Sequence, residues 1–391
     1  MLFANGLLES AKREAGLDDY GDMGFAEGLR VLVDSVNREA GLTPEHEEIL
    51  KSDLLRVLVN RLRMQRDLVL HPEILAEVIL PPVFITSMPR TGSTKLHRLM
   101  AATGEFNAMT FWHSHDFARI PGAENVKPDP RIASAESYLQ WLYKKAPGFQ
   151  QGHPMYTEEA EEEVALLDAG FNSIYRYAAA LNVPSYVQWV LSRDGLQAYR
   201  DLRRMLQYLQ WQHFHANGKR WLLKTPSLFG MEGMFAQIFP GMNFIVAHRH
   251  PADVLASACA LCVGVRQLYS DKDVSAMAGP MVLFNAGEMA KGHLHWREHY
   301  PADKVIDVRF DEVMGDEIVL LERIFSVLGM TLSDADKARV HAWIEMDARR
   351  EHQRNTTPLA DYGLTAEAIN ERLSGYIERY KLYLRLPAEP R

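Results

Sequence analysis

The run Val83-Phe84-Ile85-Thr86 is short, β-branched and aromatic. It passes without a spacer into the turn Ser87-Met88-Pro89-Arg90-Thr91-Gly92, and a helical pattern follows from Ser93 to Ala102, with Gly104 just past its end. No other stretch restricts the fold as much. A strand this short with no polar alternation is buried on both faces, which requires a sheet covered by helices on each side. The turn also places the helix's first N–H groups, which lack intrahelical partners, at the carboxyl end of that strand, where the helix dipole adds partial positive charge. Trp221 to Lys224, Phe244 to Ala247 and Val305 to Val308 have the same short apolar character and are separated by helical stretches. Strands alternating with helices predict an α/β fold built on a parallel sheet.

The first 77 residues carry no such strand. Helical patterns run from about Leu2 to Ala15 and from Phe25 to Ala40, stopping at Gly16 and Gly41. A third opens at Thr43-Pro44 and repeats Leu50, Leu54, Leu58 and Leu62 on one face. Residues 1–77 are therefore expected to form a helical N-terminal extension or cap. Residues 78–391 are expected to form the α/β domain with helical insertions, chiefly over about 133–216. A chain of 391 residues with 47% apolar and 24% charged residues excludes a disordered or fibrous protein and can bury a large core. Two cysteines cannot build a disulfide framework, so a reducing, cytoplasmic setting is expected. A net charge of −8 argues against non-specific nucleic-acid binding. No window of 18 apolar residues suggests a membrane span, and Met1 to Gly6 does not read as a signal peptide.

The segment Pro89 to Thr94 has the chemistry of an anion site. Gly92 permits close backbone approach, Ser93 and Thr94 add hydroxyl donors, Arg90 adds a forked cation, and Thr91 completes the loop. Against the nucleotide-binding pattern G-x-x-x-x-G-K-[ST], aligned on Gly92 and Thr94, Ser87 stands at the first glycine and Ser93 at the lysine. The lysine that bridges β- and γ-phosphates is missing from its place, and no acidic strand end offers a metal partner. A second cationic strand end, His248-Arg249-His250-Pro251, is followed by Ser257 eight residues after Arg249. In a parallel sheet both motifs fall at the carboxyl ends of their strands, where ligands collect.

Together these features resemble the sulfotransferases that use 3′-phosphoadenosine 5′-phosphosulfate (PAPS), and most closely a bacterial-type subgroup. Further marks of the resemblance are Asn60-Arg61-Leu62, His71-Pro72-Glu73, Trp221-Leu-Leu-Lys-Thr-Pro226, His248-Arg-His-Pro251 and Val308-Arg-Phe-Asp311, and such marks extend in order from about residue 16 to 383. The resemblance implies a P-loop-kinase-like sheet wrapped by helices and no metal. It implies that Pro89 to Thr94 cradle the 5′-phosphosulfate and that Arg249 and Ser257 hold the 3′-phosphate. It places Lys224 at the transferring group, and Arg350 or Arg354 in a basic loop over the 3′-phosphate.

Sulfuryl transfer also needs a proton acceptor. Related sequences commonly carry a histidine four residues after the lysine, and here that position is Leu228. The remaining candidates are Glu162, within an acidic run from Thr157 to Glu163 that reads as the start of a helix, and His153 just before it; His113 and His115 are lesser ones. A carboxylate in a desolvated cleft can act as a base. The acceptor is expected to be a small apolar alcohol, phenol or lipid, walled by helices rich in Leu, Met and aromatic residues. The competing readings are a non-catalytic relic that binds the desulfated nucleotide and a small-molecule kinase that would need ATP and Mg²⁺, against which the absent lysine argues. The Cys259-x-x-Cys262 pair lies mid-helix, not at a helix start where a thiolate is stabilised, and reads as packing.

Overall fold

In the computed structural model, which describes residues 1–215, 218–350 and 357–384, five parallel strands make one sheet in the order β2-β3-β1-β4-β5. These are β1 (Val83–Ser87), β2 (Asn107–Ala108), β3 (Trp221–Lys224), β4 (Asn243–His248) and β5 (Val305–Arg309). The four strands expected from composition are present. The two-residue β2 is too short to show a period. β1 is central, with Ile85 in register with Lys224 on one side and Ile245 on the other. Ser87, Lys224 and His248 are the last residues of their strands, so the loops that follow them open on the same edge of the sheet.

Alternate residues of the strands serve two cores, as the period of two requires. Val83, Ile85, Leu222, Ile245, Ile306 and Val308 pack with Leu96, Leu99 and Met100 of the helix Ser93–Ala102. Phe84, Trp221, Leu223, Phe244 and Val246 point the other way, into the larger core. That larger core also takes up the N-terminal helices α1 (Ala4–Ala15), α2 (Phe25–Ser35) and α3 (Pro44–Leu70). Leu50, Leu54, Leu58 and Leu62 of α3 are all fully buried, and Thr43 caps the helix by accepting from His46 N at 3.3 Å. Two further ties hold α3 to the middle of the chain. Asn60 accepts from Ala118 N at 2.8 Å and donates to Asp116 at 3.2 Å, while Arg61 donates to the Ala169 carbonyl at 3.1 Å. The Asn60-Arg61-Leu62 mark is thus a packing joint.

The acidic run departs from its expected form. Residues 157–163 do not begin a long helix; only the single turn Val164–Leu167 follows. Ala160 forms an antiparallel bridge with Thr110, Phe111 N donates to Glu159 O at 3.2 Å, and Glu161 N donates to Met109 O at 2.9 Å. The physical reason is pairing. Glu161 and Glu163 are buried, so the backbone takes the path that brings their carboxylates to partners and not the one their helix-start preference would set.

Candidate functional site

The helix Ser93–Ala102, α4, begins directly after Gly92, which has φ 88° and offers no side-chain cap. Arg90 is also held at positive φ, 72°, a conformation uncommon outside glycine and concentrated at functional sites. A Cβ on residue 92 would stand 3.2 Å from the Phe310 ring, so glycine is required by both dihedral and space. Thr91 is turned inward, its hydroxyl donating to Met88 O at 3.1 Å, and Ser93 is buried at the helix start.

The two motifs meet. Arg90 Nε donates to Ser257 Oγ at 2.9 Å, and its Nη1 donates to the Gly152 carbonyl. Arg249 Nη1 reaches the Arg90 carbonyl at 3.4 Å, and its guanidinium lies 4.1 Å from the centre of the Phe310 ring. Phe310, within the Val308-Arg-Phe-Asp311 mark, therefore backs both the glycine loop and Arg249. Burial and the neighbouring Arg249 pull the Arg90 pKa below its ordinary value. Two forked cations are thus brought to one place, with the planar donor geometry that suits phosphate-like groups.

Lys224 ends the neighbouring strand β3. Its side chain is fully buried, and Nζ donates to Glu162 Oε1 at 2.5 Å and to Thr94 Oγ1 at 3.3 Å. His153 Nε2 pairs with Glu161 Oε1 at 2.8 Å. The ligating atoms of His153, Glu161 and Glu162 all lie within 4.8 Å of one another. Lys224, Glu162, His153 and Thr94, separated by up to 130 positions, are thus one cluster beside the start of α4.

Several members of the cluster were not singled out in the sequence. Arg98, on α4, donates to Pro154 O at 2.9 Å and meets Glu159 at 3.1 Å and Glu161 at 3.7 Å; nothing in its sequence neighbourhood, which also holds Lys95 and His97, sets it apart. Burial would raise the Glu161 carboxyl, but His153, Lys224 and Arg98 hold it well below the usual range. His97 is buried next to Lys224, and burial and that ammonium push it down to about 3, so it is neutral at working pH. Glu163 accepts from the Lys224 backbone N–H at 3.1 Å, and burial pushes its carboxyl up to about 7.

The remaining expectations fall elsewhere. His113 accepts from Thr110 N at 3.2 Å and lies against Trp112 and His213. His115 packs on Tyr138 and Phe111. Burial lowers both imidazoles far below their ordinary value. Arg350 stacks on Tyr156 at 3.7 Å and pairs with Glu159 at 2.9 Å and Asp347 at 3.3 Å, which puts it on the outer end of the acidic run. Arg354 lies outside the described residues. Leu228 is a fully buried core residue in the turn Pro226–Leu228. Burial also raises the Cys259 and Cys262 thiols, to about 12 for Cys259.

Glu163 makes stability depend on pH. Its folded pKa is raised, so between about 4.5 and about 7 the folded chain keeps a proton that the unfolded chain has lost, and stability falls as pH rises through that window. At 1.36 kcal/mol per unit the loss is on the order of 3 kcal/mol. Glu163→Gln removes the titration, so urea unfolding at pH 5 and pH 8 should differ less in the variant than in the wild type. Equal differences would show that Glu163 is already ionised in the folded protein.

Three comparisons bear on this arrangement. A family model described as the sulfotransferase family matches residues 81–334. An omega-hydroxy-beta-dihydromenaquinone-9 sulfotransferase, Stf3, of Mycobacterium bovis and Mycobacterium tuberculosis is 22% identical over 319 residues, which cover 77% of this chain and 75% of the relative. The crystal structure of sulfotransferase STF1 from Mycobacterium tuberculosis H37Rv superposes with a TM-score of 0.81 at 28% identity, covering 96% of this chain and 99% of that one. Sulfotransferase STF9 from Mycobacterium avium shares the fold, with a TM-score of 0.84 at 22% identity over 99% and 98% of the two chains.

Proposed function

The chain belongs to the sulfotransferase family, and we propose that it moves a sulfuryl group from PAPS to the hydroxyl or amine of a small, apolar acceptor. That it is an enzyme, a sulfotransferase, follows from the family; the donor, the acceptor class and the residue roles are our reading. The observation that carries it is the joint placement of Lys224, Glu162 and Thr94 at the start of α4, beside the Arg90–Ser257–Arg249 group.

The residues present fit the donor. Arg90, Ser93, Thr94 and the open N–H groups of α4 suit its 5′-phosphosulfate end, and Arg249 with Ser257 suits its 3′-phosphate. PAPS, when bound, supplies a sulfuryl group on a phosphate leaving group. Lys224 keeps a cation where negative charge grows during transfer, in a buried setting where that charge is weakly screened. Glu162 stands next to it and takes the acceptor's proton. His153 and Arg98 fix Glu161 and with it the backbone that aims Glu162. Lys224 pairs with Glu162, and Arg98 lies against Glu159 and Glu161, so side chains of the site itself already meet these carboxylates. Arg350 steadies the outer end of the same acidic run.

One feature supports an apolar acceptor: the relative Stf3 is named for a hydroxylated menaquinone. Among the described residues no helix is long and apolar enough to cross a membrane. An acceptor that itself partitions into lipid would have to be met at the protein's surface, and we place the enzyme on the cytoplasmic side.

Calorimetric titration with adenosine 3′,5′-bisphosphate, with chelator present, tests the reading. Binding should occur without metal and exceed that of Mg-ATP. Arg249→Ala should weaken it about 10- to 100-fold, since a hydrogen bond to a charged group contributes about 1.5–3 kcal/mol. Preference for Mg-ATP would sink the proposal in favour of a kinase. Tight bisphosphate binding with no transfer to any alcohol, phenol or lipid would favour the relic, and transfer to carbohydrates alone would overturn the apolar acceptor.

A further inference from the structure

The longest helix after α3 is Ser275–His299, and its last turns read His295-Trp296-Arg297-Glu298-His299. Trp296 and Arg297 face the protein: Trp296 packs on Phe244 with ring centroids 4.6 Å apart, and Arg297 donates to Asp307 at 3.2 Å. The residues between and beyond them face out. His295, Glu298 and His299 are exposed, and one ligating atom from each lies within 4.8 Å of the others. Two histidines four positions apart on one helical face have the spacing that holds zinc in helical motifs, and the order His-x-x-Glu-His is one such arrangement.

We propose that His295, Glu298 and His299 bind one late transition-metal ion, of the zinc, nickel or copper(II) class. Three observations carry this beyond spacing. The two imidazoles already lie side by side, with ring centroids 4.8 Å apart and planes tilted by 55°. The Nδ1 of His299 is 2.8 Å from the His295 carbonyl. A carbonyl only accepts, so that nitrogen carries the proton and Nε2 presents its lone pair outward, the tautomer a metal needs. The nearest charged side chain one turn earlier on this face, Lys291, is turned to Glu288 at 2.9 Å and leaves the three ligands uncontested.

Imidazole and carboxylate donors select this class of ion over calcium or magnesium. The site differs from a zinc peptidase centre. All three ligands are exposed, so the remaining coordination positions are open to water or to a ligand from another molecule. No hydrolytic step is assigned. Binding would tie the last two turns of the helix together just before the chain turns into β5.

The test uses the tag-free full chain and zinc chloride, followed by calorimetry. One ion should bind per chain. His295→Gln and His299→Gln should each weaken binding at least tenfold, about 1.4 kcal/mol. Zinc should raise the melting temperature of the wild type and not of the double variant. Sulfuryl transfer by both variants should equal that of the wild type when no zinc is added. Undiminished binding in the double variant would place the ion elsewhere, at the His153 cluster first of all, and overturn the proposal. Absence of binding heat and of any melting shift in the wild type would do the same.

Discussion

Lys224→Met is expected to slow sulfuryl transfer by about 100- to 1,000-fold, or about 3–4 kcal/mol of barrier, the range seen when one preorganised donor to a developing charge is removed. Methionine keeps most of the buried lysine stem, so the loss falls on the ammonium. That ammonium is fully buried, 2.5 Å from Glu162 and 3.3 Å from Thr94. Its field acts in a poorly solvated setting and needs no reorganisation when charge moves. Binding of adenosine 3′,5′-bisphosphate should change far less, because that ligand lacks the transferring group and the 3′-phosphate is assigned to Arg249 and Ser257. Single-turnover rates and calorimetry on the same preparation separate the two effects. Transfer within threefold of the wild type would remove Lys224 from the reacting centre. Equal losses in transfer and in binding would make it a donor-holding residue instead.

Glu162→Gln should lower kcat by about 100- to 10,000-fold, the usual span for loss of a general acid or base. The size alone does not separate a base from a partner that holds Lys224 in place, but the pH profile does. If Glu162 takes the acceptor's proton, the acidic limb of the kcat/KM profile disappears in the variant. A retained limb with a raised KM would assign Glu162 to positioning. His153→Asn should have the smaller effect, since its ring reaches Glu161 and not the lysine.

Much of the frame was legible because it is local. The limits of β1, β3 and α4, the glycine needed at position 92, and the histidine missing at Leu228 can all be read within windows of about ten residues. In the structure Leu228 is fully enclosed in the core. What could not be read is what the sheet order decides. The pairing of Lys224 with Glu162 spans 62 positions and that of Arg90 with Ser257 spans 167, and such contacts follow from which strands lie side by side. Arg98, Glu161 and Glu163 were passed over for a related reason. Their roles come from burial, and a charged residue in a sequence looks the same whether it meets water or a partner. Local preference points the acidic run toward a helix start, and tertiary pairing overrides it.

Arg90 touches both halves of the pocket at once. It holds Ser257 on the donor side, and through the carbonyl of Gly152 it holds the residue immediately before His153. One guanidinium has five N–H groups; these two bonds use two of them, and the other three remain to meet an incoming anion. On the roles proposed above, a nucleotide drawn to Arg90 would meet a side chain already tied to the acid–base end. Any factor that a bound nucleotide applied to acceptor affinity would be applied by a bound acceptor to nucleotide affinity, because the two routes around the cycle share their end points.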